Sequence, residues 1–166
     1  MATLSEAGSG LGALSVKVTR RWVLWHGVFP VWIGGIIYLI FRSKGLVMFR
    51  WLEWAGLDAL LEPLRRGSAP IRPWVPDFVV FTMPHCLWSY ALTVNVWWIW
   101  REVPRQALLF SVTVGLTSGP LVELGQGLGW VPGTFDWMDL AGYIVAVAAA
   151  SMSAFALTRR VSLCGL

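Results

Sequence analysis

Charge is scarce in this chain, and so are the residues on which metal and nucleophile chemistry depends. Of 166 residues only 13% are Asp, Glu, Lys or Arg, about half the share of an average soluble domain. With 57% of residues hydrophobic and a mean hydropathy of +0.64, too few polar side chains are present to clothe a water-soluble surface. There are two cysteines, Cys86 inside an apolar run and Cys164 near the C-terminus, which excludes a disulfide framework and leaves two free thiols. Two histidines, His26 and His85, are too few for a His-rich metal centre. A Gly-x-Ser-x-Gly elbow, a His-Glu-x-x-His helix and a phosphate-cradling glycine loop are all missing. Neither a metal nor a cofactor is expected. No polar linker separates two cores, so one domain is expected over residues 17–166. It follows a small, polar stretch, residues 1–16, whose composition predicts a flexible tail.

What is abundant is tryptophan. Twelve are present, and Trp22, Trp74, Trp97, Trp98, Trp100, Trp130 and Trp137 stand where apolar runs begin or end. Indole rings are enriched at the headgroup level of a bilayer, so these predict aromatic belts, while Trp32 and Trp88 are expected to pack inside. The net charge of +4 does not point to nucleic acid, since the cations are not massed together and no nucleic-acid motif is present. Arg20-Arg21, Arg65-Arg66 and Arg159-Arg160 flank apolar stretches instead, as lipid headgroups require.

The runs predict an all-α integral membrane bundle of about four transmembrane helices plus one interfacial amphipathic helix. Trp22 to Phe41 carries no Asp, Glu, Lys or Arg and is long enough to cross a hydrocarbon core of about 30 Å. It exceeds the signal-peptide core of about 7–15 residues and is followed by no small-x-small site, so a retained anchor is expected. Phe78 to Trp100 is the second span, kinked by Pro84. Ala107 to Leu124 is the third, and Trp137 to Leu157 the fourth. Between the second basic cluster and the prolines Pro70, Pro73 and Pro76, residues 45–64 alternate with helical period. Leu46, Phe49, Leu52, Leu57, Leu60 and Leu64 share one side while Arg50, Asp58 and Glu62 share the other, which predicts a helix lying on the membrane surface. Glu53 falls on the apolar side, where it either snorkels to water or enters the bundle as a functional carboxylate. The basic residues are nearly balanced between the two faces; a bacterial cytoplasmic membrane with both termini inside is the expected placement.

Ionisable groups at membrane depth are costly and so invite a functional reading. They are His85 in the second span, Glu123 and Gln126 at the end of the third, and Asp136 and Asp139 at the start of the fourth. Each of the last two pairs is spaced by three residues, which puts its members on one helical face. The short connection between these spans should make them antiparallel neighbours and bring both pairs to one membrane face. Capping is the plainer role for Asp136, because an acid at the start of a helix satisfies free backbone N–H groups.

The order His85, then Glu123-Leu124-Gly125-Gln126, then Pro132-Gly133-Thr134-Phe135-Asp136-Trp137-Met138-Asp139 resembles the VanZ-like family of small bacterial membrane proteins. The likeness covers about the C-terminal half. The family's Asp-Lys pair before the histidine is replaced here by Asp77-Phe78, its Arg before the first Asp of the last motif by Gly133 and Thr134, and its later Asn by Gly142 and Tyr143. The resemblance implies a multi-pass inner-membrane protein of unsettled molecular activity. Three roles follow for His85, Glu123, Gln126, Asp136 and Asp139. The cluster would bind a polar headgroup or a lipid-linked envelope intermediate; His85 or Glu123 would serve as the proton acceptor of a membrane-embedded enzyme; or the chain would be a non-catalytic subunit held to a membrane protein partner, or to its own copies, through small-residue faces.

Overall fold

The computed structural model describes residues 20–164 except Pro132; the expected tail, residues 1–16, lies outside the described residues. All regular structure among them is helical. Helix α1 (Arg20–Phe41) contains a π-helical turn at Leu24–Val28. Pro30 has no N–H to offer the His26 carbonyl, and the ladder slips so that the Phe29 N–H reaches back five residues to Leu24.

The single surface helix expected over residues 45–64 is two helices, α2 (Val47–Trp54) and α3 (Asp58–Ser68). Gly56 ends the first in the left-handed region at φ 71°. Its N–H bonds the Glu53 carbonyl at 2.9 Å and the Leu57 N–H bonds the Leu52 carbonyl at 2.8 Å, the paired closure that only a residue without Cβ accepts at little cost. Helical periodicity continues through Gly56 in the sequence, so pattern alone could not show the break. Glu53 is exposed, which removes the bundle-facing alternative for it.

A 3₁₀ turn at Arg72–Trp74 leads to α4 (Asp77–Phe81) and α5 (Met83–Ile99), nearly one rod. The expected kink falls at Thr82, two residues before Pro84. Helices α6 (Pro104–Ser118) and α7 (Pro120–Gly127) likewise form one apolar rod broken at Gly119-Pro120. Helix α8 (Trp137–Cys164) runs on past the expected end of the fourth span.

Three helical stretches are long and apolar enough to cross a membrane: Arg20–Phe41, Arg105–Gly127 and Trp137–Thr158. Helix α5 is shorter and more polar, carrying His85, Ser89, Thr93 and Asn95. It is also the central helix, packed against α1, α6 and α8. Its polar side chains therefore meet protein: Asn95 donates to the Gly27 carbonyl at 3.2 Å, and the Tyr90 hydroxyl links His26 (2.5 Å) to Ser153 (3.1 Å) across three helices. Polar groups that bond between helices need not lower a helix's place in the bundle, only its hydropathy.

The interior is small and the exterior large. Ala91, Ala146, Ala150, Ala154, Thr93 and Ser111 are buried, whereas Trp32 is 67% exposed and Met152 is 72% exposed. This is the distribution of a helical membrane protein, in which lipid tails compete with the interior for large apolar side chains and close backbone approach holds helices together. Two tryptophans change places relative to expectation. Trp97 is buried with Ala107, Ala154 and Leu157, with Trp22 packed against it, while Trp32 faces outward. Trp74, Trp130 and Trp137 are exposed at helix ends. The antiparallel order gathers the end of α1, the α2–α3 hairpin, the start of α4, the end of α7 and the start of α8 at one end of the bundle.

Candidate functional site

At that end α1 leaves carbonyls without helical partners. Arg65 of α3 supplies them, its guanidinium donating to the Leu39 carbonyl and, at 2.6 Å, to that of Arg42. Its charge also lies where a helix C-terminus favours a cation. Glu62, one turn earlier on α3, pairs with Lys44 and with Arg66 (3.2 Å), and their hydrogen bonds hold its carboxyl below the ordinary value of 4.5. The hairpin is thus tied to the end of α1. Arg42 lies over the rings of Tyr38 (5.5 Å) and Phe81 (4.9 Å), and its Nε is buried without a hydrogen-bond partner among the described residues.

Asp136 is the cap of α8. Its carboxylate accepts the Met138 N–H at 2.7 Å, and its carbonyl accepts the Leu140 N–H at 3.1 Å. In a capping box the cap's own N–H would be taken by an acid three residues later. Asp139 occupies that position but accepts the Thr82 hydroxyl of the α4–α5 junction instead. The Asp136 N–H is taken by Glu123, which reaches across from α7 at 2.5 Å and is only 5% exposed. Gln126 lays its amide against Gly133 in the connecting loop. The loop itself begins with a second left-handed glycine, Gly129 at φ 74°, closed by bonds from Gly129 N–H to Gln126 and Trp130 N–H to Gly125.

The expected acidic cluster is therefore brought to one end of the bundle but divides by role. Glu123, Gln126 and Asp136 clasp the loop and the start of α8. Asp139 faces the other way, towards α5. His85 lies one turn along α5 from Thr82, and at that junction Asp139 accepts the Thr82 hydroxyl while Arg42 lies over the Phe81 ring. Its ring is 5.7 Å from Trp88, 6.3 Å from Tyr38 and 6.4 Å from Tyr143, centroid to centroid. Tyr143, four residues after Asp139 on the same face of α8, packs onto Gly119, where any Cβ would collide with its ring. A guanidinium, an imidazole, a carboxylate and a phenol thus line one end, able to meet a ligand carrying both signs of charge. Among the described residues no three His, Cys, Asp or Glu side chains converge as metal ligands would.

Sequence reasoning passed over Arg42, Thr82 and Tyr143. Arg42 follows an apolar run directly, which marks it only as a basic flank, and a threonine at membrane depth satisfies itself within its own helix more often than not. Tyr143 is one aromatic among the apolar residues of the last span, and its aim depends on the Gly119 break. No protein-family model, curated protein or solved structure matches the chain.

Proposed function

We propose that this chain is a four-crossing protein of a bacterial cytoplasmic membrane, VanZ-like in its motif order, that binds the headgroup of a lipid or lipid-linked envelope intermediate bearing both a phosphate and an amine. The observation that carries the reading is that a cation and a carboxylate meet neighbouring residues of the α4–α5 junction, Arg42 over the Phe81 ring and Asp139 on the Thr82 hydroxyl, one turn from His85. Arg42 has a buried Nε without a partner and suits phosphate; Asp139 suits an ammonium. The span from Asp77 to Ile99 covers about 33 Å at 1.5 Å per residue, enough to serve as the fourth crossing beside the three apolar helices. The α2–α3 hairpin, with Trp51 and Trp54 exposed, lies on the surface at the headgroup level.

The enzyme reading draws less support, because Glu123 is committed to the Asp136 backbone and has a structural task. Native mass spectrometry of the detergent-solubilised protein tests the proposal. Phosphatidylethanolamine should be retained several-fold better than phosphatidylglycerol, and Asp139→Asn should remove that preference. Equal retention of the two lipids by the wild type, or a preference untouched in Asp139→Asn, would defeat it.

A further inference from the structure

Below the charged end, α5 turns one face towards a groove completed by α6 and α8. His85, Trp88, Ser89 and Leu92 recur at intervals of three and four along α5, and Ser118 and Tyr143 close the groove around a cavity of about 150 Å³. It is open to the side of the bundle, since Leu92 and Ser118 are both exposed. Its lining differs from an ordinary lipid-facing crevice in one respect. Ser89 is only 4% exposed, and its hydroxyl has no hydrogen-bond partner among the described residues. Its neighbours do not meet that need: the Trp88 indole N–H donates to the Val31 carbonyl at 3.2 Å and the Ser118 hydroxyl donates to Gly115 at 3.0 Å. A buried hydroxyl that is left unpaired carries the whole cost of its lost hydration, so such a group in a cavity marks a place for an acceptor.

A lipid supplies that acceptor at the required depth. Ser89 lies four residues, or about 6 Å, further along α5 than His85. The ester carbonyls of a glycerophospholipid hang below its headgroup, and they accept hydrogen bonds but donate none. We infer that the groove seats the ester neck of a glycerophospholipid, with Ser89 donating to one carbonyl oxygen while the headgroup lies between Arg42 and Asp139. The inference rests on the headgroup reading above and names the class of lipid.

The test compares diacyl phosphatidylethanolamine with its dialkyl ether analogue, which keeps the headgroup and chains but lacks the carbonyls, by native mass spectrometry of the full chain in detergent. The wild type should retain the ester lipid about fivefold better, the worth of roughly one hydrogen bond. Ser89→Ala should retain the two equally, and Ser89→Thr, which keeps a hydroxyl, should restore the preference. Equal retention by the wild type would mean that water and not lipid meets Ser89, and a preference that survives Ser89→Ala would place the carbonyl elsewhere; either result overturns the inference. Asp139→Asn separates the two proposals. It should lower retention of both lipids while leaving their ratio unchanged. A ratio that persists with undiminished retention sinks the headgroup reading alone, and a lost ratio with diminished retention sinks the groove alone.

Discussion

Glu123 shows how a costly buried acid can be held for structure. Its carboxylate replaces the missing arm of a capping box, taking the backbone N–H of Asp136 from a different helix. Glu123→Ala should lower stability by about 1–3 kcal/mol by leaving that N–H unpaired, while Glu123→Gln, which keeps an acceptor oxygen, should lose much less. Thermal unfolding in detergent reads both, and equal losses would show that charge and not the acceptor matters. Glu62 gives the acid dependence of the surface hairpin. Lys44 and Arg66 depress its carboxyl in the folded state, so its contribution is fully present above the ordinary value of 4.5 and is lost as the pH falls through the lower folded value. Tryptophan fluorescence of the hairpin during acid titration should show this transition, and Glu62→Gln should abolish it. Of these two residues, the sequence marked Glu123 as unusual because of its depth, but its partner is a backbone group thirteen residues away that no side-chain pattern announces.

Between elements, contact is governed by where side chains are absent. A Cβ at Gly142 would run into the Cys86 sulfur and the Thr82 methyl, so α8 lies close against α5 just below the Thr82–Asp139 bond. Gly142→Ala should therefore cost about 1–2 kcal/mol through overpacking. Cys86→Ala removes the main obstacle, and the double variant should recover most of the loss; simple additivity in a thermal-unfolding cycle would refute the contact. The same scale explains which helices were legible. Long apolar runs announce α1, the α6–α7 rod and α8, because a helix facing lipid must be apolar over its length. The division of residues 45–64 was hidden because Gly56 ends a helix through backbone geometry while the hydrophobic period continues past it.

As a whole molecule, the chain has its α2–α3 hairpin and its α5–α6 turn at opposite ends if α4–α5 crosses the bilayer. Gly67, exposed with open space around its Cα, and Glu102, exposed in the α5–α6 turn, are suitable label sites. With Cys86 and Cys164 replaced by alanine, a membrane-impermeant maleimide should react in sealed inverted vesicles with Glu102→Cys and not with Gly67→Cys until the vesicles are opened. Labelling of both from one side would reduce the crossings to the three apolar helices. Composition by itself determined the solvent of this protein, because 57% hydrophobic residues in uncharged runs leave lipid as the medium that does not penalise them. Spacing determined that Glu123, Asp136 and Asp139 would gather at one end. Only the tertiary structure decided which of these acids bonds a side chain of another helix and which holds the backbone, since that depends on Thr82 arriving beside Asp139 from a helix distant in sequence, and hydrogen bonds between helices are set by their packing and not by the order of the residues.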